Sequence, residues 1–436
     1  MSPPAHSQRS TIVEPSEPPL LGTLGPGLIT GAADDDPSGI ATYAQAGAQF
    51  GYQLIWSMLW AYPLMVVIQD ISARIGRTTG RGIAANIREE YSPLLLYGTV
   101  LALFIANICN IGADLAAMAE SARLLLPAVP TAAYVVAFGL ICAAGQIFLH
   151  HTRYVSILKW LTLSLFAYFA TLAVVHVHWR EFLQGLLWPH FVAQQGFWLM
   201  VVALLGTTIS PYLFFWQSSQ EVEDTKTEPA KEPLRYRPAQ GKRELARIKS
   251  DTVMGMGLSN LVAIAIMATA AATFHAKGIT QLDTAAQAAQ ALRPIAGPFA
   301  FALFALGIVG TGLLAVPVLA GSAAYALGEA RRWPVGLSRN PSEAKAFYAT
   351  IAVATAVGAV ANAFGISPLK ALVWAAALNA VVAAPIMILV MRLASSRKVM
   401  GSFRIGGWWL RLGWCATCVM ALASLAYLLS LLTGSH

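Results

Sequence analysis

Three consecutive carboxylates, Asp34, Asp35 and Asp36, stand directly before Pro37, Ser38 and Gly39 inside an otherwise apolar stretch from Leu20 to Phe50. An acidic side chain at the centre of a membrane helix costs about 2.5–3.5 kcal/mol on insertion scales, so it is kept where it has work to do. Pro37 and Gly39 break the helix, and irregular backbone at membrane depth is tolerated only against protein or a water-filled cavity. A second stretch, Gly206 to Phe214, follows the same rule: Ser210-Pro211, like Asp36-Pro37, puts a capping side chain before a helix-starting proline. Each break ends a half-helix whose last carbonyls are unpaired and partly negative. Carbonyls near Asp34 to Asp36 and near Gly206 to Thr208, with the charge of Asp36, would make an oxygen site for a hard divalent cation such as magnesium, calcium or manganese.

The elements that hold these breaks are membrane spans. Of 436 residues, 57% are hydrophobic and 11% charged, and the mean hydropathy is +0.60. Stretches of about 20 apolar residues, enough to cross a bilayer, fall near 20–49, 52–73, 93–119, 131–149, 155–176, 197–219, 251–275, 295–328, 347–363, 366–391 and 408–433. The chain therefore reads as an all-α polytopic membrane protein with eleven transmembrane helices. The caps lie 174 residues apart (210 minus 36), an offset of five spans from the first to the sixth, and an odd offset reverses the second copy. That is an inverted repeat of five plus five helices, whose interface is where such proteins bind substrate. Repeat 1 covers about 20–177, repeat 2 about 197–392, and an extra helix about 408–433, all within one transporter domain, 20–436.

Lys and Arg crowd the loops that face inside if the N-terminus is inside, among them Arg74, Arg77, Arg81, Arg88 and the group from Arg392 to Arg411. Only Arg123, Arg180, Lys277, Arg293 and Lys370 fall on the other side. This bias sets a cytoplasmic N-terminus and an outside C-terminus in the cell membrane. It also accounts for the net charge of +8 without nucleic acid. Residues 1–19 are polar and Pro-rich and read as a disordered tail, with no cleavable signal peptide. The segment 223–247 reads as a flexible cytoplasmic loop. Cys415 and Cys418, one turn apart in a span, read as packing residues, and nothing resembles a phosphate-binding loop or a nucleophile elbow, so the chain is not expected to be an enzyme.

The two breaks resemble those of the natural resistance-associated macrophage protein (NRAMP) metal transporters, built on the LeuT-like fold. The family's first-span Asp-Pro-Gly-Asn stands here as Asp36-Pro37-Ser38-Gly39, and its sixth-span Met-Pro-His-Asn as Ser210-Pro211-Tyr212-Leu213; GRTTGRGIAANI at 76–87 and GADLAA at 112–117 are also similar. The resemblance implies a metal held at Asp36, Gly39, Ser210 and, through its backbone carbonyl, Thr207. Only Asp36 keeps the family chemistry. Loss of the thioether removes the soft ligand, and loss of the asparagine at Gly39 enlarges the site for a partly hydrated ion, which resembles a magnesium-carrying branch. Tyr212 replaces the family's histidine and carries protons poorly near neutral pH, and Ala117 replaces an acidic residue. Weak or absent proton coupling is therefore expected, with Asp36 and Asp114 left as proton candidates.

Each position also has a plainer reading. Asp36 also reads as no more than an N-cap, and Asp34 and Asp35 as facing a cytoplasmic vestibule. The hydroxyls of Thr207 and Ser210, three residues apart, suit a ligand pair or bonds back to the helix backbone. Asn107, Asn110 and Asp114 form a polar stripe that lines a pathway or bonds between helices, and Asn379 is a further pathway candidate. The expected function is alternating-access transport of a divalent metal ion, magnesium or manganese first, by a monomer in the lipid bilayer with no cofactor beyond its cargo. A proton-coupled manganese or iron symporter and a sodium-coupled organic solute transporter on the same fold are the alternatives.

Overall fold

The computed structural model describes residues 26–148, 166–191, 196–227, 232–361 and 367–433, and no strand occurs among them. The tail 1–19 and half of the fifth expected span, 155–165, lie outside the described residues. The first span is split as expected. Helix α1 (Pro26–Asp34) stops and α2 (Pro37–Phe50) starts across Asp36, whose backbone is extended (φ −69°, ψ 169°). Pro37 cannot supply the N–H that a continuous helix requires there. After α3 (Trp56–Thr79), α4 (Ile83–Glu90), α5 (Pro93–Arg123), α6 (Thr131–Phe148), α7 (Ala167–Val174) and α8 (Trp179–Leu187), the second break separates α9 (Phe197–Thr208) from α10 (Pro211–Thr227). Then come α11 (Gly241–Thr273), α12 (Ala300–Arg331), α13 (Lys345–Ala361), α14 (Pro368–Ser395) and α15 (Gly407–Thr433).

Seven helical segments among the described residues are long and apolar enough to cross a membrane. The other expected spans are the split α1–α2 pair, α3 with its Asp70, Arg74 and Arg77, the 17-residue α13, and the fifth span, of which α7 is the described part.

Small residues let the helices around the first break touch backbone to backbone, the main source of close packing where lipid removes the hydrophobic drive. Gly27 and Gly31 lie one turn apart on α1 and face α11. A Cβ on Gly31 would stand 2.3 Å from the Gly255 carbonyl oxygen, and one on Gly27 would stand 2.8 Å from Asp251 Oδ2. That Asp251 oxygen accepts the Gly27 N–H at 2.6 Å, so a side chain of α11 satisfies one of the orphan donors that open α1. Farther along α11, Met267 O stands 2.2 Å from the Cβ that Gly47 of α2 lacks. Gly206 of α9 abuts α14 in the same way, 2.0 Å from Ala376 O.

The segment 223–247 is not a flexible linker. Helix α10 runs to Thr227, α11 begins at Gly241, and residues 228–231 lie outside the described residues. Between them Leu234 N and Arg235 N donate to Arg77 O and Thr78 O at 3.2 and 3.1 Å, and Leu234 is fully buried. Arg77, itself buried, meets Glu244 at 3.3 Å. The charges that make the stretch look solvated are partly spent on one another inside the protein.

At this basic end two carboxylates link the helices that surround a cavity of about 240 Å³. Glu223 of α10 accepts hydrogen bonds from Tyr325 Oη of α12, from Leu337 N at 2.6 Å and from Ser338 N at 3.2 Å. Glu329 of α12 accepts Ala85 N of α4 at 3.1 Å and Ser219 Oγ of α10 at 3.2 Å. Both carboxylates tie the second half of the broken α9–α10 helix to its neighbours.

Candidate functional site

The two breaks meet, and Asp36 lies buried where they do. Its two oxygens have different tasks. Oδ1 accepts Gly39 N and Ser38 Oγ, both at 2.7 Å, and so caps α2. Oδ2 takes no part in the cap: it accepts Asn110 Nδ2 from α5 at 3.1 Å and lies 3.4 Å from Tyr212 Oη on α10. One oxygen of the carboxylate thus serves the cap, and the other is left facing Asn110 and Tyr212. The Tyr212 hydroxyl donates first to the closer Ala33 O, at 3.1 Å, a last-turn carbonyl of α1. The tyrosine in the family's histidine position therefore ties α10 to the end of α1. Tyr212→Phe is expected to weaken cation affinity by about threefold to tenfold, the worth of one hydrogen bond near 1 kcal/mol. Concentration dependence of flux in liposomes is the measurement, and unaltered affinity would leave Tyr212 a purely structural residue.

The hydroxyls of the second break divide in the same way. Ser210 Oγ donates back to Gly206 O at 2.7 Å and Thr207 O at 3.0 Å, as Ser and Thr do at helix ends, so its lone pairs alone remain for a ligand. Thr207 Oγ1 is buried beside the Tyr43 hydroxyl, and it lies 3.0 Å from where a Cβ on Gly39 would stand. Asp34 O and the Tyr43 ring are each 3.2 Å from that same point. The absent asparagine side chain therefore leaves no wide gap. Threonine and tyrosine close in on Gly39, which corrects the expectation of an enlarged site.

The polar stripe of α5 splits. Asn110 reaches Asp36, whereas Asn107 donates to Leu319 O of α12 at 2.9 Å and serves as a bond between helices. Asp114 is fully buried, lies beside the backbone N–H of Ser38 in the first turn of α2, and is within Coulombic range of Asp36. Asp35 turns away from Asp36 and shares Ser259 Oγ of α11 with Asp34, at 3.0 and 2.7 Å. Asn379 is buried on the α14 turn that packs against Gly206, with no partner for either side-chain polar atom. Sequence reasoning passed over Tyr43 and Ser259. Tyr43 had a signal, since it stands one helical turn after Gly39 and so on the same face; Ser259 had none.

Among the described residues no group of three His, Cys, Asp or Glu side chains is placed to hold a metal. A cation here would rest on one carboxylate and on neutral carbonyl, amide and hydroxyl oxygens. Such a ligand set suits hard ions and binds them loosely enough to let them go.

From the end opposite Glu223, a cavity of about 640 Å³ opens between α2, α9 and α14. Its polar lining is Gln45, Gln49, Gln281 and Lys370. Gln45 accepts Leu282 N at 2.9 Å and donates to Thr280 O at 3.1 Å, which fastens α2 to the segment that follows α11.

The chain is similar to known proteins over most of its length. Residues 27–430 match the family described as natural resistance-associated macrophage protein-like. The divalent metal cation transporter MntH of Aeromonas hydrophila is 28% identical over 301 residues, 67% of this chain and 70% of that protein. MntH of Deinococcus radiodurans is 30% identical over 310 residues, 67% of this chain and 66% of that protein. Among solved structures, the manganese transporter of Eremococcus coleocola superposes with a TM-score of 0.75 at 17% identity, covering 93% of this chain and 86% of that one. The nucleobase-cation-symport-1 transporter MHP1 superposes at 0.59 with 14% identity, covering 93% and 92%.

Proposed function

This chain belongs to the natural resistance-associated macrophage protein-like family, and from that premise we propose that it carries divalent metal ions across the cell membrane by alternating access. The family and the apolar helices make it a multi-pass membrane transporter rather than an enzyme, with a LeuT-like fold. The observation that carries the proposal is Asp36 Oδ2, a buried carboxylate oxygen outside the helix cap and met by Asn110 and Tyr212 where two broken helices join.

The cargo is a hard ion, magnesium ahead of manganese. No thioether stands at Ser210, and the other available ligands are oxygens. Transport is uncoupled or only weakly coupled to protons, because the family's histidine is Tyr212 here. The N-terminus lies inside and the C-terminus outside, and the protein works as a monomer. A second reading, proton-coupled manganese transport, draws on the relatives, two named divalent metal cation transporters and one named a manganese transporter. A sodium-coupled solute carrier is disfavoured, since an anionic substrate group would meet Asp34, Asp35 and Asp36.

Liposomes carrying the protein and a pH dye separate these readings. Magnesium influx without a change in internal pH is expected. Manganese influx with acidification and no magnesium influx would establish the second reading, and no flux of either ion would remove both.

A further inference from the structure

The connection from α14 to α15 is cationic throughout: Arg392, Arg397, Lys398, Arg404 and Arg411 follow one another with no carboxylate among residues 392–411. It is firmly folded. A single helical turn, Arg397–Met400, follows α14, and Ile405 N returns to donate to Ala394 O at 2.9 Å. Val399, Met400 and Ile405 are buried, so the backbone that carries the cations is fixed, whereas the five cations and Trp408 are exposed. Lys398 pairs with Glu90 at 3.0 Å. The guanidinium groups of Arg392, Arg397, Arg404 and Arg411 have no hydrogen bond or salt bridge among the described residues. Elsewhere at this end of the molecule arginines are paired: Arg74 with Asp70 at 2.7 Å, Arg77 with Glu244 at 3.3 Å and Arg247 with Glu221 at 2.6 Å. The charge bias that orients a membrane protein asks only for a number of cations on one side, and it does not require four of them to be kept from every carboxylate.

Two of these arginines continue helix faces that are apolar and exposed. Arg392 stands one turn beyond the exposed Ile388 on α14. On α15 Arg411 shares a face with Trp408 before it and with Cys415, Val419 and Leu422 after it, all exposed. Such a face in a membrane helix meets acyl chains, and cations at its end stand where the headgroups begin. We propose that the α14–α15 connection binds the phosphate of anionic phospholipids, with Arg392, Arg397, Arg404 and Arg411 as donors and Trp408 at the acyl boundary. A guanidinium presents a planar fork that matches two phosphate oxygens, and basic clusters beside a membrane helix draw anionic lipid. A soluble phosphate offers the same oxygens, but only a lipid also covers the apolar faces from which Arg392 and Arg411 project. The site does not depend on which ion the protein carries.

The full chain in neutral detergent is titrated with phosphatidylglycerol, phosphatidylcholine and glycerol phosphate, and bound lipid is read by native mass spectrometry. Phosphatidylglycerol is expected to bind at least about tenfold more tightly than phosphatidylcholine, and to stay bound against an equal concentration of glycerol phosphate. Arg404→Gln combined with Arg411→Gln should weaken phosphatidylglycerol by about thirtyfold and leave phosphatidylcholine within about twofold. Arg339→Gln combined with Lys345→Gln removes the same charge from the α12–α13 connection and should cost less than about threefold. Size-exclusion profiles establish that each variant is folded, and if the first pair is not, Arg392→Gln combined with Arg397→Gln reads the same loss. Equal binding of the two lipids, or an equal loss in the control pair, would overturn the proposal, the second outcome marking diffuse attraction without a site. Displacement of the lipid by glycerol phosphate at equal concentration would overturn the lipid assignment and give the arginines to a soluble phosphate.

Discussion

Replacement of Asp36 by alanine is expected to abolish divalent-cation flux, with a loss of roughly a hundredfold or more at subsaturating metal. Contacts to a charged group contribute about 1.5–3 kcal/mol each, and a factor of ten corresponds to about 1.4 kcal/mol. Alanine removes two things at once, because Oδ1 caps α2 and Oδ2 faces Asn110 and Tyr212. The cap alone contributes about 1 kcal/mol to stability, and serine caps nearly as well as aspartate. Asp36→Ser therefore keeps the helix start and deletes the charge. It should fold as the parent does and transport as poorly as Asp36→Ala. Transport by Asp36→Ser at the parent rate would reduce Asp36 to a cap and move the metal elsewhere.

The second large effect concerns Gly31, whose missing side chain lets α1 rest on the backbone of α11. In Gly31→Val the added Cβ would overlap a carbonyl oxygen 2.3 Å away, and no side-chain rotation relieves a clash with backbone. Overpacking of this kind costs about 1–3 kcal/mol or more. Here it also displaces a helix that ends two residues before Asp36, so loss of thermal stability and of flux are expected together. Gly98 is the control. A Cβ there meets nothing within 4 Å, on an exposed position of α5. Gly98→Ala should be neutral or raise stability by about 0.5–1 kcal/mol, as alanine does for glycine within a helix. Equal thermal unfolding of the Gly31 and Gly98 variants would contradict the close approach of α1 and α11.

The residues that could be read from sequence are those that violate their surroundings. Asp36, Pro37, Ser210 and Pro211 interrupt apolar spans, which a bilayer tolerates only at cost, and the structure brings both interruptions together. Asn110 and Tyr212 were legible for the same reason. Asn107 was not separable from Asn110 by spacing. Which of the two reaches Asp36 depends on the approach of α12, where Leu319 O claims the Asn107 amide, and no local pattern carries that information. Tyr43 escaped notice because an aromatic residue in a membrane helix looks like core, and only the approach of its ring to Gly39 says otherwise. The 223–247 segment misled in the opposite sense. Its charges suggested solvent, but Glu244 lies against the buried Arg77 from a helix more than 150 residues earlier in the chain, a pairing that composition cannot reveal.

The mouth of the 640 Å³ cavity bears on which ion the protein can serve. Its polar lining is three carboxamides and one lysine, with no carboxylate among the lining residues. A negatively charged funnel raises the local concentration of cations and speeds their capture; this entrance does neither. Were an ion to reach Asp36 by this route, it would arrive at no more than its bulk concentration, a filling rate that serves an abundant ion better than a trace one. Flux by that path would then respond only weakly to the ionic strength at that face.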